Sequence, residues 1–346
     1  MKVFSAKLIL LFLSIEMLLR VWSSLVPCWY RQAVHDVRTD PVTYIFIGSS
    51  RVASSIIPTE FTQAMGEANS PDRTINMGMG YSTLVEHFFG LRRIAAAMPD
   101  GLKGVTVFLE APEGIPDMAI WRGDWSFRKN PYLLVNTIGL SDLRSFWARD
   151  SSKFDLKLTV TAGTLSEAIA NQGNGRILVV DIMRKIKARI RTWTTQKKTD
   201  LSTSGGIRAD EAGIQNARRL AVSLAANEMK YARIIKRQSA DETVLKSING
   251  LVNTEGGRLI LYQMPLNSVQ KQVYTTAIFR ENRVIAHDLL KTWAIPILSP
   301  NMETNDDDFP DYWHLRKSRS SEFTRSLAQA YIDTLMVSGK ETSDRK

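Results

Sequence analysis

The sequence predicts an α/β protein built on a parallel sheet that is covered by helices on both faces. Three observations lead there. Short apolar runs rich in β-branched and aromatic residues recur at 43–47, 104–114 and 257–267, and segments of helical periodicity separate strand-like runs. The order over the first seventy residues of the domain is strand, helix, strand, helix, strand, the alternation of a parallel sheet. At 346 residues, 44% hydrophobic and 23% charged, the chain can bury a full-sized core and has none of the composition of a disordered protein.

The elements follow in order. Residues 1–30 include "KLILLFLSIEMLLRVWSSLVPCWY", about twenty largely apolar residues, roughly the length that crosses a bilayer. Trp22, Trp29 and Tyr30 form an interface-like aromatic end. Glu16 and Arg20 interrupt the run but stand four apart, where they can pair on one helical face. No small-x-small cleavage site follows, so an uncleaved transmembrane signal anchor is expected, with the main domain outside the cytoplasm. Cys28, the single cysteine, excludes an internal disulfide, and the proline before it fits a lipoprotein box badly. Residues 31–42 read as a polar connector.

The α/β domain spans 43–340. Its first strand, 43–47, runs into "GSSRVASS", and "IIPTEFTQAMGE" reads as a turn and helix. "RTINMGMGYST", 73–83, is a short strand ending in a glycine-containing loop, followed by the helical "LVEHFFGLRRIAAAM". "GVTVFLEAPEG" is the third strand. The alternation lapses over about 115–205, read as a mainly helical insertion within the one domain. Beyond it come helices at 209–237 and 241–253, a strand at 257–267, a helix at 280–293, a short strand at 294–300 and a closing helix at 320–337.

A formal net charge of +10 calls for an anionic partner. Nothing points to nucleic acid: zinc-finger spacing, aromatic RNA-binding signatures and a GxxxxGK phosphate loop are all missing from the sequence. The basic stretch "IMRKIKARIRTWTTQKK", 182–198, has two readings. It is either a surface helix with solvated charges or a helix lying against anionic lipid or an acidic polysaccharide.

Ligands of open parallel sheets bind beyond the carboxyl ends of the strands. Ser50, the Gly78/Gly80 loop and Glu110 all leave strands there, and Asp311-x-x-His314 precedes the closing helix. A serine hydroxyl attacks only when a base takes its proton, and a carboxylate holds that base in the right tautomer. Asp311 and His314 can supply both groups within one turn. His35, His87 and His287 stand in the connector or mid-helix, where a structural role fits better. The plainer readings remain open beside this one. In them Ser49 and Ser50 are helix caps, Gly78 and Gly80 a tight turn, and Asp311 and His314 a solvated pair. Asp306 to Asp308 read as a solvated acidic run, since a calcium loop needs spaced ligands and a glycine. No H-E-x-x-H pair suggests zinc. Neither metal nor organic cofactor is expected.

The order of the motifs resembles the SGNH (GDSL-type) hydrolases over most of the chain after residue 43. The resemblance implies a flavodoxin-like three-layer α/β/α sandwich and ester hydrolysis or acyl transfer. In it Gly48-Ser49-Ser50 stands at the first block, with Ser49 replacing the usual Asp and Ser50 as nucleophile. Asp311 and His314 match the last block, completing the triad. The second block implies an oxyanion hole from the Ser50 and Gly80 amides. Membrane-anchored relatives acting on envelope or exported polysaccharides look similar around "GSSR". They imply an acylated (acetylated) glycan as substrate, with other envelope assembly proteins as partners. The third block departs: Glu110 and Glu113 stand where the family carries a donor asparagine. Loss of one such donor typically costs about 10²- to 10³-fold in rate. Arg51 is a candidate to replace it, and Arg51 and Glu110 are candidates for substrate contact. A non-catalytic glycan-binding envelope protein is the alternative function. One geometric requirement decides much: Ser50 and His314 must lie within about 4 Å.

Overall fold

Aromatic and aliphatic residues alternate along the first strand, Tyr44–Gly48 (β1), and this alternation divides the whole core. The computed structural model describes residues 29–40, 42–66, 73–79, 82–111, 137–138, 140–149, 244–311 and 314–343, with isolated positions elsewhere. β1 pairs in parallel with β2 (Thr74–Gly78) on one side and β3 (Thr106–Ala111) on the other. β4 (Arg258–Gln263) and the two-residue β5 (Ile297–Leu298) extend the sheet in the order β2-β1-β3-β4-β5. The chain steps from β1 to one neighbour and then back past it to the other. A crevice opens at such a switch point, between the carboxyl ends of β1 and β3.

Strand parity assigns the two faces. Ile45, Ile47, Val107, Leu109, Leu259 and Leu261 face one buried cluster. This side is covered by α1 (Trp29–Thr39), α4 (Leu84–Ala97), α5 (Leu143–Arg149), α6 (Val244–Thr254) and α8 (Ala277–Thr292). Tyr44, Phe46, Phe108, Ile260 and Tyr262 face the other cluster, under α2 (Ser50–Ser55), α3 (Pro58–Ala64) and α9 (Lys317–Ser343). There Phe46 and Phe108 stack at 4.6 Å and 10°, and Phe61 meets both edge-on. Such pairs add about 0.5–1.5 kcal/mol each beyond area burial. α7 (Ser268–Tyr274) packs with α8 around a small satellite of Val273, Tyr274 and Phe279.

α1 stands where the sequence suggests a connector. Val34 and Val37, three apart on one helical face, are buried in the aliphatic cluster, and Arg73 bonds Asp36 and Asp40 to tie the helix to the sheet. The polar composition of 31–42 conceals this stripe. α9 is also longer than the apolar pattern of 320–337 predicts. The expected membrane anchor at 1–30, the insertion at 115–205 and the basic stretch at 182–198 lie largely or wholly outside the described residues. Among the described residues no helix is long and apolar enough to cross a membrane.

Candidate active site

β1 ends at Gly48, where the chain must turn between two crowded neighbours. A Cβ there would meet Val52 Cγ2 at 2.4 Å and Glu110 Cβ at 2.7 Å. Gly78, its register partner on β2, would place a Cβ 2.3 Å from the Ala53 nitrogen. The two glycines let α2 settle directly onto the strand ends. Asn76 fixes it there. Its amide donates to the carbonyls of Val52 (2.9 Å) and Ile56 (2.8 Å), and its oxygen accepts the Gly78 N–H. On the opposite side α9 holds the helix end, with Thr324 Oγ1 accepting the Ile57 N–H at 3.1 Å and lying 3.1 Å from the Ser55 carbonyl.

The two serines divide the roles between them. Ser49 is the N-cap of α2, its hydroxyl accepting the Arg51 N–H at 3.2 Å. Ser50 is the first residue of the helix, and its Oγ lies 2.8 Å from His314 Nε2. Its amide lies in the first helical turn, where amides have no intrahelical acceptor.

His314 is delivered by a loop knotted at both sides. Asn305 and Asp308 form a capping box around a single 3-10 turn. The Asp308 carboxylate is also 3.1 Å from Arg319 Nε, and its carbonyl accepts the Arg316 N–H at 2.6 Å. Phe309 and Leu315 anchor the flanks in the aromatic core. Asp306 accepts both the N–H and the hydroxyl of Ser268, joining this loop to the one after β4. The acidic run at 306–308 is therefore structural at two of its three positions rather than merely solvated. Among the described residues no His/Cys/Asp/Glu group is arranged to hold a metal ion.

Asp311 reaches His314 twice. Oδ1 accepts the His314 main-chain N–H at 2.7 Å, and Oδ2 lies 2.6 Å from Nδ1. An ionised carboxylate only accepts, so Nδ1 carries the proton and Nε2 offers its lone pair to the Ser50 O–H. The arrangement can pass a proton from Ser50 Oγ to His314 Nε2, with the Asp311 carboxylate facing the far ring nitrogen.

Arg51 and Glu110 stand beside this relay and are turned inward. Their side chains are 7% and 10% exposed. Arg51 Nη2 donates to the Pro265 carbonyl at 2.9 Å, and Nη1 lies 3.7 Å from Glu110 Oε1. Glu110 Oε2 accepts the Ser49 N–H at 2.7 Å. Gly80 lies outside the described residues. Behind the turn His87 is buried, with Nε2 2.9 Å from Ser82 Oγ, and Ser82 Oγ donates to the Met79 carbonyl at 2.7 Å. With that hydroxyl proton spent on Met79, His87 donates from Nε2. Burial lowers its pKa from 6.5 to about 4, opposed by the Gly48 carbonyl. This second serine–histidine contact is a neutral brace, which agrees with the structural role expected for His87.

Sequence reasoning passed over Asn76 as a clamp and Asp308 as an anchor. Asparagine inside a strand is disfavoured, and that misfit at Asn76 was the available signal. Asp308 carried none, since burial of one aspartate among three depends on Arg319. No protein-family model matches the chain, and no curated protein matches it.

Proposed function

We propose that this chain is an SGNH-like serine esterase or O-acyltransferase with a flavodoxin-like core. The observation that carries this reading is the continuous relay from Ser50 Oγ through His314 to Asp311, at 2.8 and 2.6 Å. The strand order supports the fold assignment, because 2-1-3-4-5 is the flavodoxin-like order. The position of Ser50 supports the site, since it leaves the carboxyl end of β1 at the switch point.

In this mechanism Ser50 Oγ attacks the ester carbonyl as its proton passes to His314 Nε2. The oxyanion is received by the amides of Ser50 and Gly80. Collapse breaks the ester C–O bond, and His314 returns the proton to the leaving sugar oxygen. Water then attacks the acyl-serine to release the free acid, or a second sugar hydroxyl attacks it to complete a transfer. His314 takes the proton of the incoming group and gives it back to Ser50. The substrate class we assign is an acylated, most simply acetylated, envelope or exported polysaccharide. Residues 1–30 would hold the enzyme at the membrane with this domain outside the cytoplasm, beside other envelope assembly proteins.

One feature favours a second reading, a glycan-binding protein without catalysis. Glu110 is the penultimate residue of β3, in the block where the family carries a donor asparagine. Labelling with a fluorophosphonate separates the two. The folded wild type is expected to label at one serine and Ser50→Ala to lose the label. A folded wild type that does not label leaves only the binding reading.

A further inference from the structure

Glu110 has the strand parity of Phe108 and so projects from β3 onto the face occupied by α2. A carboxylate placed there without partners would be costly. Instead each oxygen has a partner, and the two partners flank one residue. Oε2 accepts the amide of Ser49 at 2.7 Å, and Oε1 lies 3.7 Å from the guanidinium of Arg51. Arg51 is in turn held by the Pro265 carbonyl, just beyond β4. The carboxylate therefore straddles Ser50, gripping the residue before it and the residue after it. The absence of a side chain at Gly48 makes this approach feasible, because a Cβ there would stand 2.7 Å from Glu110 Oε2.

Tyr262, the register neighbour of Glu110 on β4, closes the back of this cluster. Its hydroxyl is buried and makes no hydrogen bond among the described residues. Burial, and then the negative charge of Glu110, raise its pKa well above 10. The floor beneath the turn is thus neutral apart from the Glu110–Arg51 pair, whose charges offset one another.

We propose that Glu110 is the positioning residue of the Ser50 turn. Its carboxylate holds the backbone amide before the nucleophile and faces the guanidinium of the residue after it, and so sets Ser50 Oγ against His314, while Arg51 keeps its charge from opposing the oxyanion. The inference rests on Ser50 being the nucleophile. It gives the glutamate at the end of β3 a purpose that oxyanion donation cannot.

Two variants test it, each compared per folded molecule by the rate of fluorophosphonate labelling. Glu110→Met keeps the volume and removes both acceptors. It is expected to slow labelling by about 10²-fold, the usual effect of displacing a reacting group by about an ångström. Glu110→Gln keeps an acceptor for the Ser49 amide and is expected to recover to within about tenfold of wild type. A merely structural glutamate would lower thermal stability in both and leave the labelling rate per folded molecule unchanged, which overturns the inference but leaves the esterase reading intact. Hydrogen exchange across 48–52 reads the same turn without chemistry. Fast exchange in Glu110→Met with protection in Glu110→Gln supports the inference, and wild-type protection in both overturns it, even in a protein that never labels.

Discussion

Asp311 is 55% exposed, yet it makes two contacts to one residue, and the second is the instructive one. By accepting the main-chain N–H of His314 it closes a tight turn that brings its other oxygen onto the ring. Asparagine could keep the turn but would present a donor, or a weaker acceptor, to Nδ1. Asp311→Asn should therefore leave the fold intact and slow the reaction at Ser50 by about 10³- to 10⁴-fold, the loss typical of a wrong histidine tautomer. Thermal melting and fluorophosphonate labelling measured together check this. An unchanged labelling rate would remove Asp311 from the relay. The aspartate and histidine were legible in the sequence because their spacing is local. Ser50 was singled out over Ser49 only through the family resemblance, since either hydroxyl can cap a helix. In the structure the approach of His314 to Ser50 separates that serine from the capping Ser49.

At the scale of elements, the site depends on how closely α2 sits on the strand ends. Gly78 is the most sensitive position, because the atom that a new Cβ would meet is backbone at 2.3 Å, not a flexible side-chain tip. Gly78→Ala must push α2 away by about 1 Å, so it should cost about 1–3 kcal/mol of stability and about 10²-fold in labelling rate. Gly250 in α6 is the matched control, with nothing within 4 Å of an added Cβ. Gly250→Ala should instead stabilise by about 0.5–1 kcal/mol and leave labelling unchanged. Denaturant midpoints for the two variants are the measurement, and equal losses in both would refute the close-approach account. The strands and most helices were legible from periodicity. α1 was not, because two buried valines among polar residues do not make a visible stripe.

Across the whole molecule, acid should weaken the fold through His87. Its pKa is about 4 in the folded chain against 6.5 ordinarily. Between these values the unfolded chain binds a proton that the folded chain refuses, so stability falls as the pH drops from about 6.5 toward 4. The full effect is on the order of 3 kcal/mol. Urea midpoints at pH 7 and pH 4.5 should drop steeply in the wild type and less in His87→Gln, which cannot charge. Equal drops would show that His87 is not the group responsible. The same buried ring meets Ser82, whose hydroxyl lies 3.4 Å from the Gly48 carbonyl, so loss of stability and loss of order at the turn before Ser50 should run together in acid.

What the sequence determined by itself was local: the parallel sheet from its alternating apolar runs, a serine just after the first strand, and an aspartate three residues before a histidine ahead of the closing helix. These follow from spacing over a few residues, which the backbone geometry enforces wherever the segment folds. What only the tertiary structure decided was which groups meet. Ser50 and His314 lie 264 residues apart, and Glu110 and the Ser49 amide 61 apart. Such contacts depend on strand order and on the closeness of α2 to β1 and β2. No periodicity carries that information, because it arises from packing between elements rather than from the pattern within any one of them.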